Sequence, residues 1–177
     1  MLIKIGQRPG GGQGGADGDA VDSLLACHER IRSFLALGAR LEEPGGDAAA
    51  IADACRGIER YFREAMPLHV ADEEESIVPR LRGREDTVDL ALAQMHDEHT
   101  AHQAGLGTLI GAAADLAAEP LDLSLRAHLA GCRRALEAEL APHLALEEAI
   151  ILPAMRRLLG AGELADIANE IRARRGR

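Results

Sequence analysis

Residues 69–81 read HVADEEESIVPRL, and residues 143–155 read HLALEEAIILPAM. The two stretches align at an offset of 74 with 6 identities in 13, including the leading His, two consecutive Glu and the Pro. Each opens with His-x-x-x-Glu, pairing His69 with Glu73 and His143 with Glu147. Residues four apart share one face of a helix. Each pair therefore presents an imidazole and a carboxylate side by side. Chance placement of 7 His and 17 Glu in 177 positions gives fewer than one such pair, and two occur. The repetition reads as two copies of one helical hairpin.

The rest of the chain follows helical periodicity around these two motifs. Apolar stripes recur every three or four residues in four segments. They run over about 20–41 (Val21, Leu24, Leu25, Ile31, Leu35), 48–82 (Ile51, Cys55, Ile58, Phe62), 86–118 (Leu92, Met95, Leu106, Ile110) and 121–159 (Leu125, Leu129, Leu136, Leu140). Short breaks separate them at Pro44-Gly45-Gly46, Gly83 and Pro120, and short connections favour antiparallel neighbours. The expected fold is all-α: an up-down four-helix bundle over residues 20–159. A short C-terminal helix over 160–177 and a flexible Gly-rich arm over 1–19 flank it. The arm carries GQRPGGGQGGADG at 6–18, too glycine-dense to order cheaply. Arg172, Arg174 and Arg175 fall near the C-terminus of the last helix, where cations are favoured.

Composition excludes other classes. Apolar residues make up 47% of the chain but aromatics only 2%, with no Trp, which argues against a β-sheet core. The net charge of −9 argues against nucleic acid or an anionic membrane as partner. No apolar run approaches a membrane span, and no signal peptide is evident at the start. Three cysteines make no disulfide framework, so the expected compartment is the cytoplasm. Cys27, Cys55 and Cys132 read as small core residues.

A bundle stripe should be apolar, yet each of the four carries a histidine: His28, His69, His99 and His143. Glu73 and Glu147 join them. A buried carboxylate is costly unless it is paired or bound to a metal. Four imidazoles and two carboxylates exceed what one tetrahedral zinc takes. They suit two metals bridged by the glutamates, and mixed N/O ligation suits iron or manganese. On the third helix, His99 lies one heptad from Leu92 and from Leu106 and is the central choice. His102 and His96 remain alternatives, His102 because it stands 74 residues after His28. His128 is about 22 Å along its helix from His143 and reads as no ligand. Glu74, Glu75 and Glu148 read as solvated surface. Tyr61 reads as a packing residue, with a role beside the site as the alternative.

At 1.5 Å per residue, His69 and His99 reach about the same height from their shared turn. His28 and His69 do not: they differ by about 14 Å, which a bend or a longer connection must absorb. Pro67 and Pro142 precede the motif histidines, and Pro79 and Pro153 follow ten residues after them. They read either as bends that aim ligands or as helix ends.

Two metal signatures are missing. No His is preceded three residues earlier by Glu, as ferritin-like di-iron sites require, and His28-Glu29 lacks the second His of a zincin. The pattern instead resembles the hemerythrin-like, or HHE cation-binding, family. The resemblance rests on a lone His28, on His69-x-x-x-Glu73, on Glu98-His99 and on His143-x-x-x-Glu147. In both His-x-x-x-Glu motifs an apolar stretch and Pro follow, as IVPRL and ILPAM. It spans about residues 20–159. It implies two iron ions in an oxo- or hydroxo-bridged di-iron centre. The four histidines would be terminal ligands and Glu73 and Glu147 would bridge.

The sequence departs from the oxygen-carrying members, which have an extra His-x-x-x-His on the third helix. Here Gln103 follows His99 at four residues, and Thr100 follows His96. The site therefore resembles the four-His, two-Glu version of sensor, iron-handling and nitric-oxide- or peroxide-reactive relatives. The expected function is binding or reduction of O₂, peroxide or nitric oxide, with an unidentified redox partner. An iron-handling or sensing module is the alternative, and a metal-free interaction bundle stands third.

Overall fold

The computed structural model describes residues 19–43 and 45–176. Most of the expected Gly-rich arm lies outside the described residues. The first helix spans Ala20–Arg40. The second is one continuous helical run over 48–81, in which α-helical segments Ala48–Arg60, Met66–Ala71 and Val78–Leu81 alternate with π-helical turns at Tyr61–Ala65 and Asp72–Ile77. The third helix spans Asp86–Ala118. The fourth run joins Leu123–Leu146, a π-helical turn at Glu147–Ile151, and Leu152–Leu158. The last helix is Ala161–Arg174. Among the described residues there is no strand, and the fold is the all-α bundle expected. No described helix is long and apolar enough to cross a membrane.

Side-chain caps start three of these runs. Asp19, Asp47 and Asp122 each accept a backbone N–H of the first turn, worth about 1 kcal/mol apiece. The turn between the second and third helices uses Gly83 at φ +78°, a conformation that L side chains rarely adopt.

The four prolines that frame the motifs neither start nor stop a helical run. Pro67, Pro79 and Pro153 each stand two residues after a π-helical turn, and the helix continues through them. Proline has no N–H to offer the carbonyl four residues back. For these three, that carbonyl belongs to the π-helical turn, where the hydrogen-bond register is already shifted by one residue. Pro142 sits inside its α-helical segment without such a turn beside it.

Two apolar cores stack along the bundle. One gathers Leu24, Ile77, Leu81, Val88, Met95 and Met155 with Ile167 and Ile171 of the last helix. The other gathers Ile31, Leu35, Ile58, Phe62, Leu109, Leu136 and Leu140. The motif histidines and glutamates occupy a polar layer between them. The connection 41–47 joins the first and second helices. Buried arginines of the fourth helix hold it: Arg133 binds the Glu42 carboxylate at 2.6 and 2.9 Å, and Arg126 donates to the carbonyls of Glu43 and Gly45.

The last helix is pinned by charge as well as by its apolar face. Arg174 and Arg175 reach the fully buried Asp72 at 3.0 and 2.6 Å. Asp72 directly precedes Glu73, and without these partners its burial would be prohibitive. The arginines expected to serve the helix terminus thus do something more specific.

Candidate metal centre

Six side chains converge at mid-bundle, all buried: His28 from the first helix, His69 and Glu73 from the second, His99 from the third, and His143 and Glu147 from the fourth. Their ligand atoms form two groups. His28, His69, Glu73 and Glu147 make one, and His99, His143, Glu73 and Glu147 make the other. Within each group the atoms lie within 4.8 Å of one another. The two glutamates belong to both.

Each carboxylate divides its oxygens between the groups. Glu73 Oε1 is 3.2 Å from His69 Nε2, and its Oε2 is 3.1 Å from His99 Nε2. Glu147 Oε2 is 3.0 Å from His28 Nε2, and its Oε1 is 2.9 Å from His143 Nε2. Both glutamates sit in π-helical turns, Glu73 in Asp72–Ile77 and Glu147 in Glu147–Ile151. Such widened turns change the direction of side chains on a helix that otherwise continues. The matched π-helical turns are the structural counterpart of the sequence repeat.

These close approaches do not satisfy the groups as hydrogen bonds. The Nε2 atoms of all four histidines, Glu73 Oε2 and both Glu147 oxygens are buried without a hydrogen-bond partner. Buried polar atoms are seldom left so. Seven of them gathered in the two groups, as imidazole nitrogen and carboxylate oxygen, fit the binding of metal ions.

The opposite ring nitrogens are held by carboxylates. His28 Nδ1 meets Glu148 at 2.8 Å, His99 Nδ1 meets Glu74 at 2.8 Å, and His143 Nδ1 meets Glu98 at 2.8 Å. This corrects the expectation that Glu74 and Glu148 are solvated surface. Both are only partly exposed, at 25% and 30%. A π-helical turn carries 73 and 74, or 147 and 148, so that one glutamate faces inward while the next reaches a histidine on a neighbouring helix. Glu75 does remain exposed. Such carboxylates fix which nitrogen carries the proton and raise the basicity of the ligand nitrogen. His69 alone has no partner at Nδ1 among the described residues.

The remaining histidines divide clearly. His102 is buried against the His143 ring at a centroid separation of 4.9 Å but belongs to neither group. His96 is exposed and meets Glu74 from outside. His128 lies away from both groups, beside Cys132. All three cysteines are free. Tyr61 stacks on Phe34 at 4.1 Å, and burial pushes its phenol up to about 12.

Charge in the layer is balanced against burial. Burial and the facing Glu147 hold Glu73 well above the usual carboxylate range. Burial also acts on Glu147 in that direction, but contact with His143 and His28 outweighs it and holds Glu147 low. Burial pushes His69 down to about 3. For His143 burial is outweighed by Glu147 and Glu98, and its imidazole is raised. Two desolvated carboxylates this close share the fate of a proton-sharing pair unless a cation lies between them.

Comparison with curated proteins finds no match. A family model described as the hemerythrin HHE cation binding domain matches residues 19–155, a span that contains all six converging residues and the three carboxylates behind them. With that match over most of its length, and with the His/Glu layer at mid-bundle, the chain belongs to the hemerythrin HHE cation-binding family.

Proposed function

We propose that the chain is a non-heme di-iron protein that binds or reduces a small oxidant, O₂, peroxide or nitric oxide. One observation carries the reading: Glu73 and Glu147 each turn one oxygen toward either half of a His₄Glu₂ layer. A single-metal site has no use for that division. Each half offers two imidazoles and two carboxylate oxygens, short of the six ligands of an octahedral ion. Iron held there by His28, His69, Glu73, His99, His143 and Glu147 would supply redox electrons and an exchangeable position for the oxidant.

The protein's own residues set the conditions. Glu148, Glu74 and Glu98 orient three of the ligand rings through Nδ1. The apolar cores above and below keep bulk water from the layer. Burial and the facing Glu147 hold the Glu73 carboxyl well above the usual range, and it would have to be deprotonated to ligate a metal. Gln103 follows His99 at the spacing where oxygen-carrying members have a further histidine, which would leave one fewer protein ligand and so an open position for the oxidant. We assign the protein to the cytoplasm on its three free thiols.

The test is metal analysis and an anaerobic visible spectrum of protein purified from iron-rich growth, followed by rapid mixing of the ferrous form with each oxidant. The expected result is two irons per chain and a spectral change with at least one oxidant. One tightly held zinc with no iron uptake would sink the proposal.

A further inference from the structure

His69 is the exception among the four ligand histidines. The other three give Nδ1 to Glu148, Glu74 or Glu98. The Nδ1 of His69 is buried and unpartnered among the described residues. Its Nε2 faces Glu73 and the layer of ligands, so Nδ1 points to the opposite side. His69 is also one of the residues that line a cavity of about 290 Å³, with Cys27, Arg30, Tyr61 and Arg175 among the other walls. Among the described residues no carboxylate lines this cavity.

The lining is rich in donors. Guanidinium groups offer only N–H donors, and a neutral imidazole whose Nε2 serves the metal side has N–H at Nδ1. The side chain of Arg30 makes one hydrogen bond among the described residues, to Cys27 Sγ at 3.1 Å, and so keeps its charge uncompensated. Arg175 shares its charge with Asp72 at 2.6 Å and also reaches Cys27 Sγ at 3.8 Å. In a chain of net charge −9 this is a local reversal of sign. Arg30 belongs to the first helix, Tyr61 and His69 to the second, and Arg175 directly follows the last. Three elements thus contribute to one donor-lined space.

We propose that this cavity binds a small carboxylate or oxyanion, which accepts the Nδ1–H of His69 and stands where a protein carboxylate stands behind each of the other three ligand histidines. Arg30 supplies most of the attraction, Arg175 a smaller part, and the Tyr61 hydroxyl a further hydrogen bond. Because outer partners tune ligand basicity, the bound anion adjusts the half of the layer built on His28 and His69. The role of His69 rests on the metal reading above; the attraction of the arginines does not.

The experiment uses the full chain in metal-free and zinc-loaded forms. Zinc uptake is measured first. Each form is then titrated with sodium formate, acetate, nitrite and phosphate at constant ionic strength, by calorimetry and by nitrogen resonances of ¹⁵N-histidine-labelled protein. The expected result is one saturable site below roughly 10 mM, tighter in the zinc-loaded form, with the Nδ1 resonance of His69 moving and those of His28, His99 and His143 still. Planar formate, acetate or nitrite binding in preference to phosphate identifies a carboxylate-like ligand, and the reverse order a tetrahedral oxyanion. Arg30→Gln weakens binding about tenfold, as loss of a charge-assisted hydrogen bond does; Arg175→Gln weakens it severalfold, and Arg156→Gln leaves it unchanged. Arg30 is exposed, so its variant folds even if Arg175→Gln loosens the last helix. No saturable binding in either form, or binding indifferent to Arg30→Gln, overturns the proposal. Failure to take up zinc, with anion binding intact, strikes the metal reading instead.

Discussion

Replacing Glu73 by Gln separates two effects at the centre, repulsion between its carboxylates and relief of that repulsion by metal. Carboxylate oxygens of Glu73 and Glu147 lie within 4.8 Å of each other. At an effective dielectric of about 20, two like charges at that distance cost on the order of 3–4 kcal/mol. Glu73 avoids part of this by taking up a proton, which is why its folded-state value lies well above its ordinary 4.5. The sign follows from linkage. A raised folded-state value means that the group's contribution is complete below about pH 4.5 and is lost as pH rises through the folded-state value. Metal-free wild type therefore carries a penalty at neutral pH that Gln does not. The metal-free variant should be more stable than metal-free wild type at pH 7 by up to about 3 kcal/mol, roughly 6–12 °C in Tm for a chain of this size. The advantage should fade toward pH 4.5. Metal acts in the opposite direction: at a thousandfold excess over Kd it stabilises wild type by about 4 kcal/mol, and the variant, short of one ligand oxygen, gains less. The assay is thermal unfolding of both proteins, with and without ferrous iron under anaerobic conditions, at pH 4.5 and 7. Coincident wild-type curves at pH 7 with and without iron would refute the metal site. A metal-free Glu73→Gln protein less stable than wild type at pH 7 would refute the repulsion argument.

Three further predictions follow from the same geometry. His99→Ala should remove at least one metal per chain while His102→Ala retains both, since His102 packs on His143 outside either ligand group; the opposite pattern in a metal count would show that the third-helix ligand is misassigned. Glu74→Gln, Glu98→Gln and Glu148→Gln should each lower metal affinity roughly 10–100-fold, whereas exposed Glu75→Gln should not, and competition with a chromophoric chelator decides it. Burial lowers His69 to about 3 in the folded metal-free chain, so its contribution to stability is complete above about pH 6.5 and is lost as pH falls toward 3, by on the order of 4–5 kcal/mol; urea midpoints of metal-free wild type should fall more steeply over that window than those of His69→Gln, and parallel curves would contradict it.

Helical periodicity and short Gly- and Pro-marked breaks determined the four long segments and their antiparallel order, because a stripe that repeats every three to four residues has only one face to bury. The same spacing put imidazoles on four stripes and a glutamate one turn after two of them. That is a local property, and reading it needs no knowledge of the fold. The choice of His99 over His102 was less local. Both are buried on the same helix, and only the packing of the third helix against the second and fourth decides which ring faces Glu73 and which rests on His143. The carboxylates behind the histidines lay further out of reach. Glu148 reaches His28 across 120 residues, and Glu74 reaches His99 across 25. Their direction depends on π-helical turns, which leave no periodic mark in the sequence beyond a proline shortly after. The burial of Asp72 under Arg174 and Arg175, and the donor-lined cavity behind His69, likewise exist only once the last helix has docked. Sequence fixes what each helix presents, since backbone geometry makes that a matter of spacing; which presented groups meet is a property of several helices at once.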